Sequence, residues 1–490
     1  MDGWNGIDGS STQEENELRK KYIGYRYADL DYCHAGKAAL EKLLDWKFGI
    51  RIHWGIYSVL GDSRESWNLS ERNDPAYRAL YENIYNCWNP NGFDADQWTT
   101  LFRAAGFKFF TFTTKHHDGF SLFDTATRIK RRRDMQTGNM VGCDLKYSIM
   151  ETPFRRDVTR ELVDAGRRAG LGVGLYYSHI DWFDSDFRVD QWNYQYDPEY
   201  TRQSDPAGYA RFIARHREQL RELCSNYGKL DILSLDMAFP GFAPGFQLAD
   251  GILHMEQGEA CGIRRDLVET VKMIRNLQPE LLVRHRGIDP YGDYQTPERV
   301  VPSLEDPEDK SSVPLPWKVI YPGSRHFSYQ RDDEYKPASW IINNLMDIIS
   351  KGGAFQVGYG PDGNGVWDGR CVDRMLAVGR WLKVNGEAVY GTRACARYND
   401  GDSIRYTRSK DGKTVYAAVL NWKLDGKKVI LEHIELLNEV KITVLGLPDQ
   451  VKWERRGDAV MLFVPENFQY RIPVMPETFV FKISGATVRG

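Results

Sequence analysis

Asp236 closes the apolar run Leu-Asp-Ile-Leu-Ser-Leu-Asp. A charged group in that setting is almost never buried unless it is paired or at work. Other apolar runs end the same way: His53 and Trp54 follow Phe-Gly-Ile-Arg-Ile, and Lys115, His116, His117 and Asp118 follow Phe-Thr-Phe-Thr-Thr. Tyr176 and Ser178 end a third run, and Arg284 and Arg286 end a fourth. A carboxylate so placed can attack an anomeric carbon, provided that a second carboxyl group protonates the departing oxygen. The second carboxyl expected is Glu298, in Gly-Asp-Tyr-Gln-Thr-Pro-Glu, a loop whose access to water suits a group that is acid and then base. The same side chains permit another chemistry, with His53, His116, His117 and Asp236 as ligands of a divalent ion in a metal-dependent hydrolase. Ile52-His53-Trp54 lacks the second histidine of a first-strand His-x-His, so the expectation is a site with no metal and no cofactor.

These residues need a frame that brings strand ends together. Phe48 to Trp54, Phe107 to Thr114, Leu171 to Ser178, Leu230 to Asp236, Leu281 to Arg286, Val319 to Tyr321 and Ala354 to Gly358 read as buried strands. Between them Pro153 to Ala169, Asp205 to Tyr227, Ile263 to Leu277, Pro337 to Ser350 and Arg370 to Asn385 carry helical spacing. About seven βα units are visible, and a (β/α)8-like barrel with active residues at the C-terminal strand ends is the best match. After Tyr390 the pattern turns to short alternating segments divided by Asp-Gly and Gly-Asp turns, which predicts an antiparallel β-sandwich. The division expected is a catalytic barrel with an N-terminal extension over 1–388 and a sandwich domain over 389–490. The basic run Lys130 to Arg133 reads as part of a solvated loop.

Composition narrows the partner. The 490 residues carry 65 basic and 68 acidic side chains, a net charge of −3 that favours neither nucleic acid nor an anionic membrane. Fourteen Trp and 27 Tyr suit the apolar faces and hydroxyl rims of sugars, although a large core contains such residues too. Seven scattered cysteines show neither a zinc spacing nor a disulfide framework. No stretch approaches the ~18 apolar residues of a membrane span, and Met1 to Lys20 has no apolar signal core.

Several motifs together resemble one family. Lys-Phe-Gly-Ile-Arg-Ile-His-Trp-Gly at Lys47 to Gly55 and Lys-His-His-Asp-Gly-Phe at Lys115 to Phe120 are similar to the first- and second-strand signatures of family 29 α-L-fucosidases. Thr-Pro-Phe-Arg-Arg-Asp at Thr152, Gly-Leu-Tyr-Tyr-Ser at Gly174 and Gly-Glu-Ala-Val-Tyr-Gly-Thr at Gly386 continue the likeness in order. The resemblance implies a (β/α)8-like barrel followed by a β-sandwich, and retaining, exo-acting hydrolysis of fucosylated glycans. It implies Asp236 as nucleophile, Glu298 as acid/base and Arg286 as an arginine of the sugar site. His53, His116, His117, Trp67 and Tyr176 would hold the fucose hydroxyls, with Phe327 near the methyl group. The family commonly has Glu just before the tryptophan, whereas here Ser66 stands there and Glu65 precedes it, so Glu65 joins the substrate-binding candidates. A fucose-binding protein with weakened catalysis is the alternative that Ser66 raises. An insertion at Ala238 to Gly262 carries Glu256 and Glu259, fallback acids. That insertion and the loop Thr125 to Glu151 are expected to select the leaving group. A periplasmic or secreted location is the family-based expectation.

Overall fold

The computed structural model describes residues 32–490 apart from 63, 242–258, 289–290, 303–315, 424–425 and 473–474. Seven strands form one sheet: β1 (Phe48–Ile52), β2 (Phe109–Lys115), β5 (Gly172–Ser178), β6 (Ile232–Asp236), β7 (Leu282–Val283), β8 (Lys318–Pro322) and β9 (Ala354–Tyr359). β3 (Ile129–Arg133) and β4 (Met140–Leu145) make a separate hairpin between β2 and β5. The sheet order is β7-β6-β5-β2-β1-β9-β8, with every neighbouring pair parallel. Parallel strands are covered on both faces, which is why β1, β2, β5, β6 and β9 are buried at every position and read as largely apolar runs.

The helices between them follow the amphipathic segments of the sequence. Ala95–Ala104, Val158–Arg168, Pro206–Asn226 and Gly369–Asn385 each begin at an aspartate, Asp94, Asp157, Asp205 and Asp368, whose carboxylate accepts a backbone N–H of the first turn. In Val158–Arg168 the stripe Val158, Leu162, Val163 and Ala165 is buried against the sheet while the arginines of the last turn face water.

Two expectations are corrected. Among the described residues the sheet has seven strands and does not close: β7 and β8 are its edges, and Tyr294, Gln295 and Glu298 make isolated parallel bridges to Arg284, Trp317 and Ile320. Gly287, Pro290, Gly292 and Pro297 crowd this stretch, and residues that lack a side chain or a backbone N–H do not sustain a ladder. The basic run Lys130 to Arg133 belongs to strand β3 and is not loop. Its charges are matched from neighbouring elements, Lys130 by Asp144 of β4 and Arg131 by Asp186 and Asp205.

The remaining strands are antiparallel. β10 (Arg393–Asp400), β11 (Ile404–Arg408), β12 (Thr414–Val419), β14 (Ile434–Val444) and β17 (Phe479–Val488) form a five-stranded sheet; β13 (Lys428–Leu431), β15 (Trp453–Arg456) and β16 (Ala459–Phe463) form a three-stranded one. Val415, Ala417, Ile442, Phe481 and Ile483 of the first sheet share a core with Val429, Leu431, Val460 and Leu462 of the second. The opposite face of the larger sheet, with Tyr416, Ala418 and Val480, joins the core of the α/β part. Trp381 Nε1 donates to Thr478 O at 2.7 Å and Arg405 Nε to Asp347 Oδ1 at 2.6 Å, tying the two parts. No helix among the described residues is long and apolar enough to cross a membrane.

Candidate active site

The strand ends deliver the side chains one by one. His53 leaves β1 with its backbone N–H bound to Tyr359 O at 3.0 Å. His116 and His117 leave β2 in a turn that Gly119 allows: its φ is +78°, and a Cβ there would lie 2.0 Å from Asp181 Oδ1. Tyr176 lies within β5, and Asp236 is the last residue of β6, in register beside Ser178. Arg284 and Arg286 follow β7, and Glu298 rides on the segment that bridges the sheet edges.

Asp236 is the hub. Its Oδ1 accepts from Arg286 Nη1 at 2.7 Å and from Arg284 Nη1 at 3.2 Å, while its Oδ2 accepts from Tyr176 Oη at 2.7 Å. Arg286 Nη1 also donates to Glu298 Oε2 at 3.1 Å, and Arg284 Nη2 lies 3.8 Å from that oxygen. Burial alone would raise the Asp236 carboxyl, but the guanidinium groups of Arg286 and Arg284 outweigh it and hold the group well below the usual carboxylate range. The Glu298 side chain is 31% exposed against 12% for Asp236, so of the two carboxyls Glu298 is the more open to water.

The imidazoles surround this hub. His116 and His117 have ring centroids 3.9 Å apart, His116 stacks on Tyr176 at 5.7 Å, and Phe327 stacks on His53 at 5.0 Å. His117 Nδ1 is hydrogen-bonded to Ser178 Oγ at 2.8 Å, and His116 Nδ1 to Ser66 Oγ. Trp67 sets its ring edge-on to His117 at 5.2 Å. Burial, reinforced by neighbouring imidazoles and by Arg51, pushes His53 and His116 well below the ordinary histidine value; burial likewise brings His117 down to about 4. All three are therefore neutral at physiological pH; with Nδ1 of His116 and His117 bonded to serines, their Nε2 atoms remain to pair with a hydroxyl group.

Such a surface, neutral donors and acceptors around a carboxylate pair, matches a polyhydroxylated substrate. A family model described as α-L-fucosidase matches residues 32–387. The chain belongs to the α-L-fucosidase family. A second model, for the α-L-fucosidase C-terminal domain, matches residues 399–484. The chain is 27% identical over 448 residues to the plasma α-L-fucosidase of Rattus norvegicus, covering 87% of each protein, and 25% identical over 440 residues to the tissue α-L-fucosidase of Bos taurus, covering 86% and 83%. The structure of α-L-fucosidase isoenzyme 1 from Paenibacillus thiaminolyticus superposes with a TM-score of 0.71 at 26% identity, over 91% of this chain and 98% of that one. The protein is thus a glycoside hydrolase of the α-L-fucosidase type.

Within this fucosidase, His53, Trp67, His116, His117, Tyr176, Asp236, Arg286, Glu298 and Phe327 all gather at one end of the sheet. Glu65 Oε1 accepts the backbone N–H groups of Phe327 and Ser328 at 2.8 and 2.9 Å, so it holds the loop that carries Phe327. Glu256 lies outside the described residues, and Glu259 opens the helix Glu259–Leu277 with its side chain outside them too. Among the described residues no group of three or more His, Cys, Asp or Glu side chains is arranged to hold a metal ion.

Two arginines gained a role that the sequence had not assigned. Arg51 points from β1 under the ring of Tyr176, 4.4 Å from its centroid, and donates to Ser234 Oγ at 3.1 Å. Arg284 is wholly buried between the two carboxylates. Arg51 is a charge inside an apolar strand and Arg284 one at the end of an apolar run; their partners come from other elements.

Proposed function

We propose that this fucosidase is exo-acting and retaining: Glu298 protonates the glycosidic oxygen of a terminal α-L-fucosyl residue while Asp236 attacks the anomeric carbon, and water then hydrolyses the glycosyl-enzyme with Glu298 as base. The observation that carries this reading is the shared donor. Asp236 Oδ1 and Glu298 Oε2 bond the same nitrogen of Arg286, so these oxygens are no farther apart than two hydrogen bonds laid end to end. That fits the ~5–5.5 Å of a retaining pair and leaves no room for the water that an inverting pair places at ~6.5–9.5 Å. His53 Nδ1, buried without a hydrogen-bond partner among the described residues, supports a role in binding a substrate hydroxyl, and His116, His117, Tyr176 and Trp67 complete that rim. Phe327, stacked against His53, supplies an apolar wall for the methyl group.

The partner in this reading is a fucosylated oligosaccharide or glycoconjugate. The change from a parallel to an antiparallel sheet supports the division into 1–388 and 389–490. The plasma enzymes among the relatives support a location outside the cytoplasm.

Proton NMR of the first product tests the mechanism, with the α-anomer of fucose expected; initial formation of the β-anomer would remove Asp236 as nucleophile. Asp236→Ala should lower kcat by roughly 10³-fold or more. Glu298→Ala should cripple substrates with poor leaving groups, spare activated fucosides and be rescued by azide. If a substitution in the 242–262 stretch behaves that way instead, the acid/base is Glu256 or Glu259.

A further inference from the structure

The segment that follows β5 carries an aromatic side chain that neither the core nor the fucose site uses. Trp192 is 46% exposed. The other exposed large aromatic side chains among the described residues are Tyr196, Trp453 and Tyr470. Trp192 alone of these touches a residue of the site: its ring meets that of Trp67 edge-on at 5.9 Å, and Trp67 in turn meets His117 at 5.2 Å. An aromatic surface therefore runs from the sugar site out into solvent.

The frame beneath it is densely hydrogen-bonded. Asp190, Asn193 and Gln195 are buried in alternation with the exposed Trp192 and Tyr196. One oxygen of Asp190 accepts Trp182 Nε1 at 2.8 Å and the other accepts the backbone N–H of Trp192 at 3.0 Å. Asn193 Nδ2 donates to Phe187 O at 2.8 Å, Gln195 Nε2 donates to Trp182 O at 2.7 Å, and Ser70 Oγ from the helix Trp67–Glu71 donates to Trp192 O. Trp182 itself is wholly buried against Trp67 and His117. This polar scaffold fixes the backbone of Trp192 and the Trp67 edge contact positions its indole, and a pre-positioned apolar surface costs little ordering entropy on binding. A lone exposed indole would need no explanation; one that prolongs a sugar site on such a frame does.

Resting on the proposed fucosidase reading, we infer that Trp192 is the platform of a second sugar subsite, on which the apolar face of another pyranose ring of the same glycan stacks while its fucose is held at Asp236. Pyranose C–H groups present the weakly positive edge that the negative face of an indole attracts. The ring can come from the leaving group or from a branch beside the fucose. The selection of the glycan then rests on the segment after β5, and not only on the loops 125–151 and 238–262.

The test uses the full chain and Trp192→Ala, with Trp192→Phe as the conservative variant, on three probes: α-L-fucosyl fluoride, which has no second ring, a linear fucosyl trisaccharide and a branched one. Trp192→Ala should lower kcat/KM for an oligosaccharide roughly tenfold, mainly through KM, and leave the fluoride within about twofold, while Trp192→Phe keeps most of the wild-type value. Loss with the linear probe places the leaving-group chain on Trp192; loss with the branched probe alone places the branch there. If wild-type enzyme cleaves all three and Trp192→Ala changes none of them, or all equally, the subsite is refuted and the fucosidase reading stands. If wild-type enzyme turns over no fucoside, both fall.

Discussion

Three uncharged imidazoles face one carboxylate that stays charged, and the pH dependence of the enzyme follows from that contrast. Because the folded values of His53 and His116 lie well below 6.5 and that of His117 near 4, their charge changes only in acid. A kcat/KM profile against an oligosaccharide should therefore show no inflection at the ordinary histidine value; one near 6.5 that vanishes in His116→Gln would contradict the neutral assignment. Arg284 invites a sharper test. Burial brings its guanidinium down to about 10, and it stands within reach of both carboxylates. Arg284→Met should leave the fold intact by circular dichroism and lower kcat by roughly 10²-fold, since Arg286 alone must then hold Asp236 and Glu298 in place. Asp236, His53 and His116 were legible because each ends an apolar run. Arg284 and Arg51 were visible only as charges, for what they do depends on Asp236 and Ser234, which reach them from another strand.

Among the elements, the turn that carries Glu65 and Ser66 acts on the two sides of the site at once. Glu65 pins the Phe327 loop, and Ser66 holds His116. Burial raises the Glu65 carboxyl to about 7, despite the two backbone N–H groups it accepts. The sign follows from linkage: the unfolded chain loses this proton near 4.5 and the folded chain near 7, so stability falls as pH rises through that window and stays lower above it. Glu65→Gln keeps a carbonyl oxygen for the two N–H groups and has no charge to bury. Its melting temperature relative to wild type should rise from pH 5 to pH 8, equivalent to roughly 1–3 kcal/mol, whereas an offset independent of pH would mean the carboxyl is ionised throughout. Most strands and five helices could be read from the chain because buried parallel strands are largely apolar runs and their covering helices are amphipathic. The hairpin of β3 and β4 could not, since its charges are matched only by Asp144, Asp186 and Asp205 once folded. Nor could the bridging segment, whose prolines and glycines carry the signature of a loop.

At the scale of the molecule, the α/β part and the antiparallel part are mutually dependent. One face of the five-stranded sheet lies in the core of the α/β part, and Trp381, wholly buried, gives its indole N–H to Thr478. Removing 389–490 would expose that surface and leave a buried donor unpaired. A chain ending at residue 388 should accumulate as aggregate, and a soluble fragment with wild-type kcat would show that the second part is dispensable. The bridging segment has a consequence of another kind. The proposed nucleophile, Asp236, sits at the end of a ladder strand, but the proposed proton donor, Glu298, sits on the piece that bridges to β8. On the proposed mechanism, a molecule in which that seam is open has a nucleophile with nothing to protonate the departing oxygen. Turnover of an unactivated glycan is therefore an assay of finished assembly, and a partly closed enzyme would betray itself by cleaving only those fucosides that leave without help.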